Sequence, residues 1–224
     1  DIISCRPSRA QSETVDDSSK FNRYGKIINS LVDAVVSSAS DENMKQSIKN
    51  ALNRIFLSVT DEEGLHPLLQ QMMSLLKHDD FEKRIVVLEI LPNFFNETVL
   101  DYDLYTADLV TNAILSLDDK DFRFVKGSHD LLVSIISKQD KSKLDRLVRP
   151  AKQALQMTGK PGEDLPAFSL PKGPNCILPV FLHGLMYGSS DEREDSALAI
   201  ADVVSKTPAT NLRPFVSVIT GPLI

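Results

Sequence analysis

Four histidines, His66, His78, His129 and His183, have the widest chemical repertoire in this chain, and each stands alone. A zinc site or an activated nucleophile needs clustered ligands or a paired base. Isolated histidines fit surface or helix-end roles instead. The chain has no GxxxxGKS/T phosphate loop, no GxGxxG turn after a strand and no HExxH. The acidic run Asp191, Glu192, Glu194 and Asp195 could suggest metal or acid–base chemistry. Its place at the start of a helical pattern explains it more simply, because the helix macrodipole favours negative charge there. No catalytic residue, metal or cofactor is expected.

Recognition is the chemistry that remains. Arg193 stands alone among those carboxylates. Such a residue either joins a ladder of charge pairs between neighbouring structural units or grips a partner carboxylate with its planar fork. A second basic group comprises Lys138, Lys141, Lys143, Arg146, Arg149 and Lys152. It reads either as a solvated helix face or as a partner site. Arg146, Arg149, Lys152 and Lys141 join Arg193 as candidate partner-binding residues. Aromatic residues do not interleave with them, so an acidic protein partner suits the patch better than single-stranded nucleic acid.

The chain must hold these residues on helices. A Pro or Asp opens an apolar run at Pro67, Asp108, Pro150, Pro179 and Pro214. From Pro67 to Asp108 is 41 residues, and from Asp108 to Pro150 is 42. A period near 40 with two helices per period is the mark of HEAT or armadillo arrays. We therefore expect an all-α fold, an α-solenoid of about five HEAT-type helix pairs.

Residues 1–20 are polar and aperiodic and are expected to form a tail. Helical signal starts at Phe21, with Tyr24, Ile27, Ile28, Leu31 and Val35 on one face. Pairs follow at Gly64–Lys77 with Asp79–Glu97 and at Tyr102–Leu117 with Asp121–Lys138. In the first of these, Ile85, Leu88, Leu91 and Phe95 form a stripe, and Pro92 is expected to bend the helix or break its last turn. Leu144, Leu147, Val148, Ala151 and Leu155 open a fourth unit, so residues 21–157 read as repeats. Polar turns supply N-cap acceptors, and Ser189 with Glu192 fits a capping box.

The rhythm then breaks. Residues 158–175 hold four prolines and three glycines, which forbids a regular helix. Leu165, Phe168 and Leu170 are apolar, so this insertion is expected to pack on the solenoid. Repeats resume over residues 176–224, truncated at the end. The chain begins at Asp1 and stops within an apolar run, as a piece of a longer protein would.

The 224 residues are 42% hydrophobic and 25% charged, an ordinary globular composition. No apolar stretch reaches the length of a membrane span. A net charge of −6 argues against nucleic-acid binding by the chain as a whole. Residues 118–160 nevertheless carry ten Lys/Arg against six Asp/Glu, a basic region in an acidic protein. Cys5 and Cys176, far apart, fit a reducing compartment such as the cytoplasm.

The stretch "LPAFSLPKGPNCILPVFLHGLMYGSSDEREDSALAIADVVSKTPATNLRPFVSVITGPLI" resembles the C-terminal, RWD-binding part of the large HEAT-repeat translational activators of general amino-acid control, as do "EEGLHPLLQQMMSLLKHDDFEKR" and "TVLDYDLYTADLVTNAILSLDD". The segments "FSLPKGP" and "ITGPLI" are its most specific parts. The resemblance implies a scaffold, not an enzyme, that binds RWD domains. Chief among these is the RWD domain of the general-control kinase, which phosphorylates translation initiation factor 2 alpha when amino acids run short. It also implies ribosome association through the parent protein. It places the kinase-contacting Arg in the turn "SSDERED", at Arg193, with Arg84 and Arg123 in similar turns.

Overall fold

The computed structural model describes residues 14–38, 40–160 and 162–223. Among them are eleven α-helices, four short 3-10 turns and no strand. Helices α1 (Thr14–Ser37) and α2 (Glu42–Leu57) form the first pair, α3 (Glu62–Leu76) and α4 (Phe81–Glu97) the second, and α5 (Asp103–Leu115) and α6 (Phe122–Lys138) the third. After a 3-10 turn at Lys141–Lys143 comes α7 (Asp145–Met157). The proline-rich stretch makes 3-10 turns at Pro166–Ser169 and Gly173–Cys176, followed by α8 (Leu178–Tyr187) and α9 (Ser190–Ser205). A short α10 (Ala209–Leu212), a turn at Arg213–Phe215 and α11 (Val216–Leu223) complete the described chain.

The helices start where the polar turns supply an acceptor. Asp41, Asp61, Asp80 and Asp121 each cap a helix by accepting a backbone N–H from its first turn. Ser189 and Glu192 form the reciprocal capping box of α9. The expected tail at residues 1–20 overlaps a helix. Residues 1–13 lie outside the described residues, and α1 already runs from Thr14. Its buried stripe is Ile28, Val32 and Val35, while Ile27 is 48% exposed. The Tyr24 side chain lies outside the described residues. Ile27 and Ile28 are about 100° apart on a helix, so they cannot both point at a narrow interface.

Helices stack on their counterparts one pair along: α2 on α4, α4 on α6, α5 on α7, α7 on α9. Helix α4 also meets α1 and α3, which explains why it is apolar on nearly every side. Ile85, Leu88, Leu91 and Phe95 are buried, and so are Val86, Val87, Ile90 and Phe94. Pro92 does not end this helix, which continues to Glu97.

The proline-rich stretch lies against α6, on the ladder of second helices that α2, α4 and α6 begin. Leu165, Ala167 and Phe168 are fully buried, and Leu170 packs at the edge of the core. Backbone polar groups in irregular buried chain need partners outside it. Leu165 N–H donates to the Lys206 carbonyl at 2.8 Å, and Asn211 Nδ2 donates to the Phe168 and Leu170 carbonyls at 3.2 and 3.0 Å. Gly173 must be glycine here. A Cβ would collide with the Ala167 carbonyl and come within 2.6 Å of Phe168 Cα.

Lys206, just past α9, is 3% exposed. Its ammonium donates to the carbonyls of Leu155 at 2.6 Å and Thr158 at 2.9 Å, both at the C-terminal end of α7. That end carries unpaired carbonyls and the negative pole of the helix dipole, so a buried cation is stabilised there. We predict that Lys206→Met, which keeps the bulk but removes both bonds and leaves the Thr158 carbonyl without its lysine donor, lowers stability by about 1–3 kcal/mol. Denaturant unfolding monitored by helix signal reads this. A variant as stable as the parent would show that the two bonds contribute nothing.

Candidate functional site

The first turns of α4, α6 and α9 each carry an arginine, and the three have different fates. Arg123, two residues after the Asp121 cap, forms a fork with Glu82 of α4, Nη1 to Oε2 at 3.2 Å and Nη2 to Oε1 at 2.9 Å. It also holds Asp121, Nη2 to Oδ2 at 3.0 Å. These bonds raise the Arg123 pKa, and Arg123 holds the Asp121 carboxyl below the usual carboxylate range. Arg123 is thus a rung between neighbouring pairs. Arg84 lies four residues after the Asp80 cap, with its guanidinium 5.2 Å from the Phe81 ring and 5.1 Å from the Phe124 ring. Arg193 also lies four residues after its cap, Ser189, and is exposed. Among the described residues its side chain makes no ion pair and no hydrogen bond. The ladder role weighed for Arg193 belongs to Arg123.

Helix α9 turns Ser196, Ala199, Ile200 and Val203 inward. At 100° per residue, Asp195 lies on one flank of that buried stripe and Arg193 on the other. Asp195 faces α7. It accepts from Lys152 Nζ at 2.7 Å and from Arg149 Nε at 3.4 Å. The Lys152 bond, then Arg149, keeps the Asp195 carboxyl below its ordinary range. Glu192 is also lowered, first by the Ser189 backbone N–H it accepts, and more weakly by the charge of Arg149.

The basic set is therefore largely spoken for. Lys152 is mostly buried and committed to Asp195. Arg149 shares that carboxylate while keeping 65% of its side chain exposed. Lys143 pairs with Asp101 at 3.3 Å and with Asp103, which raises its pKa. Arg146 and Lys141 are exposed, with no ion pair among the described residues. Nothing brings Arg193 together with Arg146 or Lys141: one belongs to the free flank of α9, the others to α7 and the turn before it. The helical spacing of Leu144, Leu147, Val148, Ala151 and Leu155 marked residues that are all buried. It could not reveal that Asp195, 43 residues from Lys152, neutralises two of the outward cations.

The histidines act as struts. His183 Nδ1 lies 2.7 Å from Asp145 and ties α8 to the start of α7. His78 Nδ1 accepts the Asp80 N–H at 2.9 Å, and His66 contacts the Tyr105 hydroxyl. His129 contacts its neighbour Asp130. Cys176 is a buried free thiol whose pKa burial pushes up to about 12; Cys5 lies outside the described residues. Among the described residues no three His, Cys, Asp or Glu side chains gather as a metal site, and no helix is long and apolar enough to cross a membrane.

Residues 20–172 match the family described as "Stalled ribosome sensor GCN1-like, HEAT repeats". The chain is 63% identical to the eIF-2-alpha kinase activator GCN1 of Saccharomyces cerevisiae over 94% of its own length and 8% of that protein. It is 31% identical to the stalled ribosome sensor GCN1 of Homo sapiens over 76% of its length and 6% of that protein. It is 27% identical to Protein ILITYHIA of Arabidopsis thaliana over 91% of its length, again 8% of the relative. The chain spans less than a tenth of the length of these relatives.

The pairing of Asp195 gives a pH dependence with a definite sign. Its folded pKa lies below the model-peptide value of 3.8. Its contribution is therefore complete above that value and is lost as pH falls through the folded pKa. We predict that Asp195→Asn lowers stability by about 1–2 kcal/mol at pH 7, because Lys152 keeps its burial and loses its anion. The gap to the parent should close as the pH drops below about 3.8. Melting curves of both proteins from pH 7 to pH 3 measure it, and a pH-independent gap would contradict the ion pair.

Proposed function

The chain belongs to the family of GCN1-like HEAT-repeat proteins, and we propose that it serves there as a protein-interaction scaffold. It binds the RWD domain of the general-control kinase, and other RWD-domain proteins by the same surface. It thereby promotes phosphorylation of translation initiation factor 2 alpha under amino-acid starvation, in the cytoplasm. The observation that carries this reading is the state of Arg193: exposed at the start of α9, with no anion of its own fold among the described residues, while Arg123 in a like turn is fully paired. A guanidinium left unpaired on a rigid helix is poised for a bidentate carboxylate contact. The naming of the yeast relative as a kinase activator agrees with this use.

A second reading is a ribosome- or RNA-contacting segment that uses the Lys138–Lys152 patch. The description of the matched family as a stalled ribosome sensor favours it. Against it stands the engagement of Lys143, Arg149 and Lys152 by internal carboxylates, which leaves Lys138, Lys141 and Arg146 as scattered charges. Binding to RNA through several phosphates weakens steeply with salt, whereas an interface with an apolar centre weakens less.

We predict that Arg193→Ala costs about 2–5 kcal/mol of RWD-domain binding with the melting temperature unchanged. Arg193→Lys should also bind poorly, because lysine keeps the charge and lacks the fork. Titration calorimetry beside a thermal melt tests both variants. Normal binding with a lowered melting temperature would assign Arg193 to the fold rather than to the partner.

A further inference from the structure

A cleft of about 200 Å³ opens where the loop from α4 to α5 meets the turn from α6 to α7. Residues 99–103 line one side, and residues 138–140 with Lys143 line the other. The Lys143 ammonium donates to Asp101 Oδ2 at 3.3 Å and to Asp103 Oδ2. Asp101 Oδ1 accepts the Asp103 N–H at 2.9 Å. Asp140 Oδ1 accepts the Ser142 N–H and hydroxyl at 2.9 and 3.0 Å. That leaves Asp103 Oδ1 and Asp140 Oδ2 without a hydrogen-bond partner among the described residues. The Tyr102 hydroxyl, in the same wall, has none either, although Tyr102 is only 7% exposed. Burial, then the charges of Asp103 and Asp101, push its pKa up to about 12, so a neutral hydroxyl lies close to both carboxylates. A buried polar atom with no partner is rare in native folds. Val99, also in this wall, is 97% exposed, an apolar side chain that the fold does not cover.

Three carboxylates face two ammoniums across the cleft, so one negative charge is left over. Lys138 stands in the last turn of α6, where the helix C-terminus draws its charge. A phosphate chain is repelled by this balance. A metal ion would have to displace Lys143 from Asp101 and Asp103. A guanidinium fits better, because it serves several acceptors at once and sheds water more readily than an ammonium. We propose that this cleft takes one arginine side chain of a protein partner, with Asp103 and Asp140 as its carboxylate acceptors and Val99 as the apolar contact. The proposal stands independently of the reading of Arg193, which calls for an acidic group on the partner and uses a different helix.

The test uses the whole chain, ¹⁵N-labelled. The probe is a capped heptapeptide bearing one arginine between two leucines. Its control carries citrulline, which has the same shape and no charge. The backbone amides of residues 99–103, 139 and 140 should shift saturably with the arginine peptide and about tenfold more weakly with the citrulline peptide. Asp140→Asn keeps an oxygen for the Ser142 N–H, so it should bind about tenfold more weakly with an unchanged melt. Val99→Ser, at a side chain that packs on nothing in the free chain, should weaken binding about fivefold. Equal titration by the two peptides, cleft amides that stay put, or parental affinity in Asp140→Asn would overturn the proposal. So would a glutamate peptide that moves these amides at lower concentration than the arginine peptide, which would make Lys138 the recognising group.

Discussion

A buried ammonium held by backbone carbonyls is the constraint around which the C-terminal half of this structure is arranged. Lys206 is out of water, and among the described residues its ammonium bonds only to two carbonyls at the end of α7. Such a group is tolerated only where dipoles converge on it. Three elements meet there: the end of α7, the end of α9, and the proline-rich stretch, through Leu165 N–H on the Lys206 carbonyl. At the other end of α9, Asp195 holds Lys152 and Arg149 of the same α7. Asp195 meets the middle of α7 and Lys206 its C-terminus, so the two helices run in the same sense and α9 is tied at both ends. The turn that presents Arg193 is therefore carried on a fixed helix.

The same division of labour runs along the array. Each step between neighbouring pairs is crossed by charge: Lys83 to Asp33, Arg123 to Glu82, Lys143 to Asp101 and Asp103, Lys152 to Asp195. These rungs are mostly half-exposed, and each contributes little on its own. Their effect is on register, because a repeat that slips by one residue breaks them. Outside the ladder, Arg193 is exposed with no ion pair among the described residues, and Arg84 lies beside the Phe81 and Phe124 rings.

Much of the fold was legible in the sequence because its signals are local. The 41- and 42-residue spacing marked α3, α5 and α7, and the Asp and Ser turns marked the helix starts, down to the Ser189–Glu192 box. The buried stripes of α4 and α7 followed from helical period alone. What the sequence hid is tertiary. Lys152 and Arg149 look like their neighbour Arg146 until α9 brings Asp195 alongside. Lys206 looks like an ordinary helix-end lysine until two segments cover it. Ile27 was misplaced because apolar composition does not say which of two adjacent isoleucines faces the core. Pro92 did not end α4, where burial on nearly every side outweighs one lost hydrogen bond. Arg84, Arg123 and Arg193 share a sequence context, and only the structure separates stacked, paired and free.

Hydrogen exchange of this chain, alone and with the isolated RWD domain of the kinase, is the most direct measurement of where a partner binds. Binding through the free flank of α9 predicts new protection over residues 189–198, with residues 138–152 unchanged. Protection confined to residues 138–152, or none anywhere at saturating RWD domain, would contradict it.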